Sequence, residues 1–517
     1  MGSSYNEWRS LYYTFSAHYS YKSRYILAYS MRADATTKFG SNNRWGIFPA
    51  VSARWNVIDE PWMKVVRDKA KMSMFSIRPG WGMVGNAPTS DYLYMNMYNP
   101  GQTYLYQSSM SPDGLKLTDL KWENKYTWNI GFDLGFFEDR LKFVVELYHQ
   151  TTKDMLMANA AIPTSNGWGA LAVRNVGDMV NKGWEFQING DRLLKKGKFW
   201  LDLNVNFANN KNVITKMDPL VLKSLNIDWV EGNRKTLQRV QVDNPFGSIY
   251  GFRSHGVYQY QYDTAEELAR ADAANGTNIL QENLDKGITY PIVRNADGQW
   301  VRNAKGDPIQ MRFCYKSETN SGYYFKGGDA VYEDINHDGN INQLDIVYLG
   351  NSLPKLTGGF GFKLHYDRLA LNAQFNYRVD YDIVNMARLD MEAMVCNNNQ
   401  SQAVNYRWRK EGDITSIPRA MHGDGTNYNT LISDRFVEDG TFLRLNYLQL
   451  SYSFDPKMLK KWHMKTLNIY ASANNLFCLT KYSGVDPEIP YGGYGVTTDN
   501  SKTPRSKSYT VGLTIGF

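Results

Sequence analysis

The last ten residues of the chain, Ser508 to Phe517, alternate strictly between two kinds of side chain. The apolar set is Tyr509, Val511, Leu513, Ile515 and Phe517, and the other set is Thr510, Gly512, Thr514 and Gly516. A period of two places successive side chains on opposite faces of a β-strand. Such a strand fits a soluble sheet with its apolar face on a core, or a membrane barrel with that face on lipid. The rest of the chain decides between the two folds.

The same alternation recurs along most of the sequence. The clearest hairpin runs from Tyr126 through a turn at Glu138–Asp139 to Leu147. Its second face carries Asp133 and Glu146, which a dry core accepts only with partners and a water-filled lumen accepts readily. The other predicted strands are Tyr13–Tyr21, Tyr25–Met31, Phe48–Val57, Lys69–Arg78, Trp184–Asn189, Phe199–Phe207, Ser248–Tyr258, Phe360–Tyr366, Leu369–Tyr377, Leu443–Phe454 with a bulge near Tyr447, and Leu467–Asn474.

The connections between these strands differ in length. Many turns are two to four residues, whereas alternate loops run to tens of residues. Short periplasmic turns and long extracellular loops are typical of outer-membrane barrels, whose strands need about ten residues to cross the bilayer. The sequence therefore predicts an all-β, antiparallel transmembrane β-barrel, of which about 14 strands are present in this chain. The largest irregular region, 209–351, is predicted to contain a helix over Thr264–Ala274, with Thr264 as N-cap and Glu267 completing a capping box.

Composition supports a membrane barrel. The chain has 36 Tyr and 14 Trp but a mean hydropathy of −0.50, and amphipathic aromatic residues form the girdles of such barrels. The net charge of +7 comes without a Lys/Arg-rich helix or zinc-finger spacing, so no nucleic-acid partner is expected. Cys314, Cys396 and Cys478 form no disulfide framework or metal spacing. The first ten residues are polar, so no signal peptide is visible.

Six stretches of the sequence are more specific than an alternating pattern. They are RADATTKFGSNNRWGIFPAVSARW (32–55), IRPGWGMVGN (77–86), LKWENKYTWNIGFDLGFFEDRL (120–141), NVGDMVNKGWEFQI (175–188), YEDINHDGNINQLD (332–345) and NNLFCLTKYSGVDPEI (474–489). In this order they resemble the signature of SusC/RagA-type TonB-dependent transporters. The resemblance implies a 22-stranded barrel with an N-terminal plug in a Bacteroidetes-type outer membrane. It also implies a SusD-like lid lipoprotein and TonB-powered import of glycan oligomers or peptides.

The resemblance covers residues 1–517 as the C-terminal portion of such a barrel. A plug, a TonB box and the first strands have no counterpart, so we expect a fragment or one part of a split protein. A partial barrel has two unpaired strand edges, and lipid cannot satisfy their backbone groups. Two other functions remain open, a passive porin-like channel and a soluble β-rich surface-binding protein.

Residues 334–345, within the predicted extracellular loop region 209–351, have the spacing of a calcium-binding loop. Asp334, Asn336, Asp338, Asn342 and Asp345 place oxygen side chains at positions 1, 3, 5, 9 and 12. Gly339 occupies position 6, where the loop turns sharply, and Asn340 at position 7 offers its carbonyl. Asp at position 12 has a shorter reach than the usual Glu. We expect a structural Ca²⁺ in an extracellular loop, with an ion-free Asx-rich turn as the alternative.

Other candidate sites are weaker. The aromatic residues Trp81, Tyr92, Tyr94, Tyr98, Tyr104 and Trp168 fit packing within the loops as well as sugar or peptide binding, and none is assigned as a ligand site. His18, His149 and His365 are expected in the wall. Asp133, Glu146, Glu185 and Asp202 are expected to line a lumen and not to form a glycosidase pair. Sequence motifs for hydrolases, nucleotide binding or zinc proteases are absent, so no enzyme is expected.

Overall fold

A computed structural model describes residues 6–104, 106–225, 240–314, 322–395, 397–421, 428–492 and 495–517. Within them the dominant element is one antiparallel sheet of 13 strands, hydrogen-bonded in chain order. The strands are β1 (Ser10–Tyr21), β2 (Tyr25–Thr36), β3 (Trp45–Asn56), β4 (Met72–Asn86), β5 (Glu123–Phe136), β6 (Leu141–Lys153), β7 (Gly177–Lys196), β8 (Phe199–Met217), β9 (Leu356–Tyr366), β10 (Leu369–Val379), β11 (Phe442–Ser453), β12 (Thr466–Thr480) and β13 (Ser508–Gly516). The all-β antiparallel prediction is confirmed.

Of the about 14 predicted strands, one does not belong to this sheet of 13. The stretch Ser248–Tyr258 forms two short strands, Ser248–Gly251 and Ser254–Val257, which pair with Val347–Asn351 and Ala330–Tyr332. All four residues of the strand Ser248–Gly251 are buried. Its alternating sequence therefore packs inside a loop core, where both faces of the strand are covered.

The register aligns apolar side chains into continuous rows on one face of the sheet. Phe132 pairs with Ile77 and Val145, and Val145 pairs with Phe186. The ring of Phe186 stacks at 6.2 Å on Phe143 and at 6.1 Å on Phe207. At the β13 edge, Tyr509 and Val511 are 70% and 81% exposed. We call this apolar side the outer face and the opposite, polar side the inner face.

The connections segregate by length into two rims. The turn rim consists of 22–24, 57–71, 137–140, 197–198, 367–368 and 454–465, together 38 residues. The loop rim consists of 37–44, 87–122, 154–176, 218–355, 380–441 and 481–507, together 294 residues. Lys22 and Ser23 have φ of 51° and 54°, in the left-handed region, within the tight three-residue turn 22–24. The predicted asymmetry of turns and loops is confirmed, as is the predicted bulge, which lies between Leu445 and Tyr447.

The helices are short and lie outside the sheet. They are α1 (Lys64–Ala70), α2 (Pro219–Leu225), α3 (Tyr262–Asn275), α4 (Ile279–Asp285), α5 (Met386–Glu392) and α6 (Pro456–Leu459). None of the helices in the described ranges has the length and apolarity needed to cross a membrane. The remaining strands are Tyr98–Tyr104, Gln107–Pro112, Leu156–Ala161, Ala170–Asn175, Arg312–Phe313, Tyr323–Tyr324, Asn340–Ile341, Asp382–Asn385, Val437–Asp439 and Thr498–Asp499.

The predicted cap of α3 was wrong. The helix begins at Tyr262, and its N-cap Gln261 makes no side-chain capping bond. The hydroxyl of Thr264 instead donates a hydrogen bond to Glu411, 3.0 Å away. A distant loop therefore binds the residue that local sequence assigned as the cap.

The two faces of β6 allow a direct test, because Val144 and Val145 are adjacent and point to opposite sides. We expect Val145→Arg to destabilise the folded barrel by about 2 kcal/mol or more, since it places a charge in hydrocarbon. Val144→Arg, the matched control, lies beside Asp133 and Gln187 on the inner face and is expected to be near neutral. Urea titration of each variant in lipid vesicles measures the difference. Equal losses would contradict the assignment of the faces.

Candidate functional site

The long connections of the loop rim form a hydrophobic core of their own. Tyr250, Phe252, Phe313, Phe325 and Ile341 belong to one buried cluster. Tyr428 and Leu431, from another connection, complete it. The region between residues 209 and 351 thus packs together with part of the 380–441 loop. Its assignment as an extracellular region stays a prediction.

A buried carboxylate joins those two loops. Asp329 is fully buried, and one of its oxygens accepts a hydrogen bond from Arg419 Nε at 2.7 Å. Its other oxygen accepts from the Tyr323 hydroxyl at 2.7 Å and from the Lys326 N–H at 2.8 Å. Burial, and then the charge of Asp329, raise the pKa of Tyr323, so its hydroxyl stays a donor. The carboxylate is fully coordinated, which makes it a structural link.

A second pair of loops folds inward over the inner face of β11. Phe442 points inward and packs with Tyr381, Ile383, Tyr482 and Ile489, all buried. These partners come from the 380–441 and 481–507 connections. Loop side chains therefore cover the polar face of the sheet near the loop rim and narrow the space beside it.

An arginine on the same strand anchors the second of these loops. Arg444, 4% exposed, lies 2.5 Å from an oxygen of Asp486 and 3.1 Å from one of Glu488. Glu488 also pairs with Arg505 at 2.9 Å. Two carboxylates thus compensate one buried guanidinium, as a charge out of water requires. The 481–507 loop is fixed against the wall by charge as well as by apolar packing.

A second ionic network lies on the inner face of β4, β5 and β6. Arg78 donates to both oxygens of Asp133 at 2.9 Å and to Glu146 at 3.2 Å. Asp133 also accepts from the buried Ser76 hydroxyl at 2.8 Å, and Glu146 accepts from Asn129 at 2.6 Å. The acidic residues predicted to line a lumen do lie on the inner face. Arg78 joins two of these residues, Asp133 and Glu146.

The predicted calcium loop is a closed chain of side-chain-to-backbone hydrogen bonds. Asp334 accepts the N–H groups of Asp338 at 3.2 Å and Gly339 at 2.8 Å. Asp338 accepts from Asn340 at 2.7 Å, and Asn336 from Asp338 at 3.2 Å. Gly339 has φ of 78°, and a Cβ there would lie 2.6 Å from Val293. The sharp turn at position 6 therefore requires glycine.

The twelfth loop residue closes the ring. Asp345 is fully buried and accepts the N–H groups of Ile335 at 2.9 Å and Asn342 at 2.8 Å. Burial raises the pKa of Asp345 to about 6 and also raises that of Asp334, and neighbouring carboxylates add to both shifts. No three His, Cys, Asp or Glu side chains in the described part of the chain converge as a metal site. Asp334, Asn336, Asp338, Asn340 and Asp345 therefore lie in one hydrogen-bonded loop, and calcium binding stays a prediction.

The remaining candidates separate into wall and loop. His18, His149 and His365 lie in strands β1, β6 and β9, as predicted. Trp81, predicted in a loop, lies in β4, because that strand continues to Asn86, and its ring is 5.9 Å from Trp128 on the outer face. In the described part of the chain, Cys314 and Cys478 form no disulfide. Cys396 lies outside the described residues.

Sequence reasoning did not identify the partners of Arg78, Asp329 or Arg444. For Arg78 and Arg444 the sequence did contain a signal. Each lies at an inward-facing position of an alternating strand, where a charged side chain needs a partner of opposite charge. For Asp329 the sequence contained no such signal, because its partner Arg419 lies 90 residues away.

The family model described as TonB dependent receptor-like, beta-barrel matches residues 4–276. A TonB-dependent receptor of Formosa agariphila is 28% identical over 96% of this chain and 45% of its own length. The TonB-dependent receptor SusC of Bacteroides thetaiotaomicron is 27% identical over 96% of this chain and 43% of its own. The RagAB peptide transporter structure has a TM-score of 0.70 at 21% identity, over 99% of this chain and 48% of that chain.

The chain belongs to the TonB-dependent receptor β-barrel family. It is an outer-membrane β-barrel protein, and the resemblance to SusC/RagA-type proteins is confirmed. The chain spans about half the length of the curated relatives it matches.

The inner-face network gives a second prediction. Arg78→Ala leaves Asp133 and Glu146 without their shared cation, and we expect a loss of about 1–2 kcal/mol in unfolding free energy, because a third of the Arg78 side chain is exposed. Arg54→Ala is the matched control, since Arg54 approaches Asp133 only to 3.6 Å and is 40% exposed. Thermal unfolding in detergent compares the two. A loss no greater for Arg78 than for Arg54 would refute the role of the network.

Proposed function

We propose that this chain forms part of the wall and mouth of a SusC/RagA-type importer of oligomeric nutrients, glycans or peptides. TonB supplies the energy, and a SusD-like lipoprotein acts as the lid above the loop rim. The observation that carries the proposal is the inward folding of the 380–441 and 481–507 loops over the polar face of a lipid-exposed sheet. Loops fixed in this way constrict a passage and select what enters it.

The two rims fit opposite sides of the membrane. Short turns face the periplasm and long loops the exterior in barrels of this kind. The loop rim, with its own hydrophobic core, offers the structured surface that a lid protein and a substrate need. The nutrient class stays open between glycans and peptides. A passive channel is the second candidate, because a polar inner face alone also supports diffusion.

Energy dependence separates these functions. In cells that carry the intact gene, we expect uptake of a labelled oligosaccharide or peptide pool to stop when TonB is depleted, and affinity purification to recover a lid lipoprotein. A passive channel would maintain uptake without TonB. Recovery of the protein in the soluble fraction without detergent would instead favour the soluble binding protein. A deletion strain that regains uptake from the wild-type gene is the control.

We further propose that the loop 334–345 binds a structural Ca²⁺. Asp334, Asn336, Asp338 and Asp345 supply side-chain oxygens, and Asn340 its carbonyl. Oxygen donors at these spacings suit Ca²⁺, a hard cation that takes six to eight such ligands. Each carboxylate oxygen that accepts one N–H keeps a further lone pair, so the hydrogen bonds within the loop are compatible with an ion.

Calorimetry of the intact protein in detergent tests this site. Asp338→Asn keeps the acceptor for the Asn340 N–H but removes one charge, and we expect at least about fivefold weaker Ca²⁺ binding. Asp297→Asn, an exposed position in another turn of the same loop region, is the control and should leave affinity unchanged. Absence of binding heat in the wild-type protein would exclude the site.

A further inference from the structure

The net charge of the protein is concentrated on the turn rim. Its 38 residues contain thirteen Lys or Arg and seven Asp or Glu, a net charge of +6. The whole chain carries +7, so the other 479 residues together contribute only +1. Residues 454–465 contribute +3 of this charge, residues 22–24 contribute +2, and residues 57–71, where four basic side chains stand against Asp59, Glu60 and Asp68, contribute +1. Residues 57–71 include Lys64, Arg67, Lys69 and Lys71, and residues 454–465 carry four lysines.

The connection 57–71 folds onto the outer face of the sheet. Val57, Ile58 and Met63 are buried against side chains of the outer face, including Trp55 and Ile77. Further in the same connection, Glu60 accepts hydrogen bonds from the Tyr25 hydroxyl at 2.6 Å and from Trp55 Nε1 at 3.1 Å, both outer-face side chains. Helix α1 therefore lies outside the barrel wall, where the wall meets the edge of the bilayer.

The exposed residues of this connection are of two kinds. Trp62, Val65 and Val66 are 61, 60 and 43% exposed, although they are apolar. Lys64, Arg67, Lys69 and Lys71 are exposed among them. Apolar and basic side chains on one interfacial segment are what a membrane surface with negative headgroups binds. A similar combination recurs at 454–465, where Met458 and Trp462 are 42% and 60% exposed among lysines.

We propose that the turn rim, and α1 in particular, binds anionic phospholipids of the periplasmic leaflet. The lysines and Arg67 contact the phosphates, while Trp62, Val65 and Val66 enter the boundary between headgroups and acyl chains. The charge of the rim and its place beside the outer face favour lipid over a water-soluble partner. This inference rests on the orientation given in the proposed function, with the turn rim in the periplasm.

The test is native mass spectrometry of the full chain in non-ionic detergent, with equimolar phosphatidylglycerol and phosphatidylcholine of identical acyl chains. We expect the wild-type protein to retain the anionic lipid about tenfold more than the zwitterionic one. In the variant with Lys64→Gln, Arg67→Gln, Lys69→Gln and Lys71→Gln this ratio should fall towards one. The matched control replaces four exposed lysines of the loop rim, Lys286, Lys305, Lys326 and Lys410, with glutamine, and should keep the wild-type ratio.

Three outcomes would overturn the proposal. The first is a wild-type protein without preference for phosphatidylglycerol, and the second is a control that loses the preference as fully as the α1 variant. The third is binding of isolated peptidoglycan sacculi that the α1 variant loses while its lipid ratio is unchanged, which would assign the surface to the cell-wall polymer. Heat modifiability on gels confirms that each variant is folded. Lipid retention needs no nutrient, TonB or lid, so failure of the import function would leave this ratio unaltered.

Discussion

The structure depends on one requirement of hydrocarbon, which offers no hydrogen bonds to a backbone. Every N–H and C=O that crosses the membrane must pair with a neighbouring strand, and the sequential pairing of 13 strands meets this need within the sheet. The pairing also fixes the register, and the register brings the apolar residues of each strand level with those of the next. The rings of Phe143, Phe186 and Phe207 form one row for this reason. Lipid contact and the inner polar surface both follow from the same ladder.

One interruption of the ladder lies between β3 and β4. Pairing of β3 with β4 runs to Ser52–Gly80 and resumes at Trp55–Ile77. Pro79 lies in this gap and has no N–H to donate. Arg54 and Arg78 lie within the same gap on the inner face, and Arg78 binds Asp133 of β5 at 2.9 Å while Arg54 approaches it only to 3.6 Å. The close Arg78–Asp133 pair therefore ties β4 to β5 beside the point where the backbone ladder between β3 and β4 is interrupted, which gives the buried Asp133 a role in holding the wall together.

The sequence predicted the wall well because the wall is governed by a short-range rule. Alternation in β5 and β6 identifies a strand, its outer side and its turn without knowledge of any distant residue. The same rule failed at Ser248–Tyr258, because alternation cannot distinguish a wall strand from one buried in a loop core. Thr264 failed for a related reason, since Glu411 lies 147 residues away and binds the hydroxyl that the local pattern assigned to a cap. The ionic anchors of the mouth are long-range contacts that local patterns do not encode.

The loops are held by a different kind of interaction from the strands. Backbone ladders supply most of the order in the wall, whereas the mouth depends on a few buried charges, Asp329 with Arg419 and Arg444 with Asp486 and Glu488. Such pairs add little net stability over apolar packing, but losing one partner costs much more than the pair contributes. Their positions are therefore tightly constrained, while apolar loop residues around them can be exchanged for others of similar volume. A wall set by backbone pairing and a mouth set by side-chain charges can therefore change independently of each other.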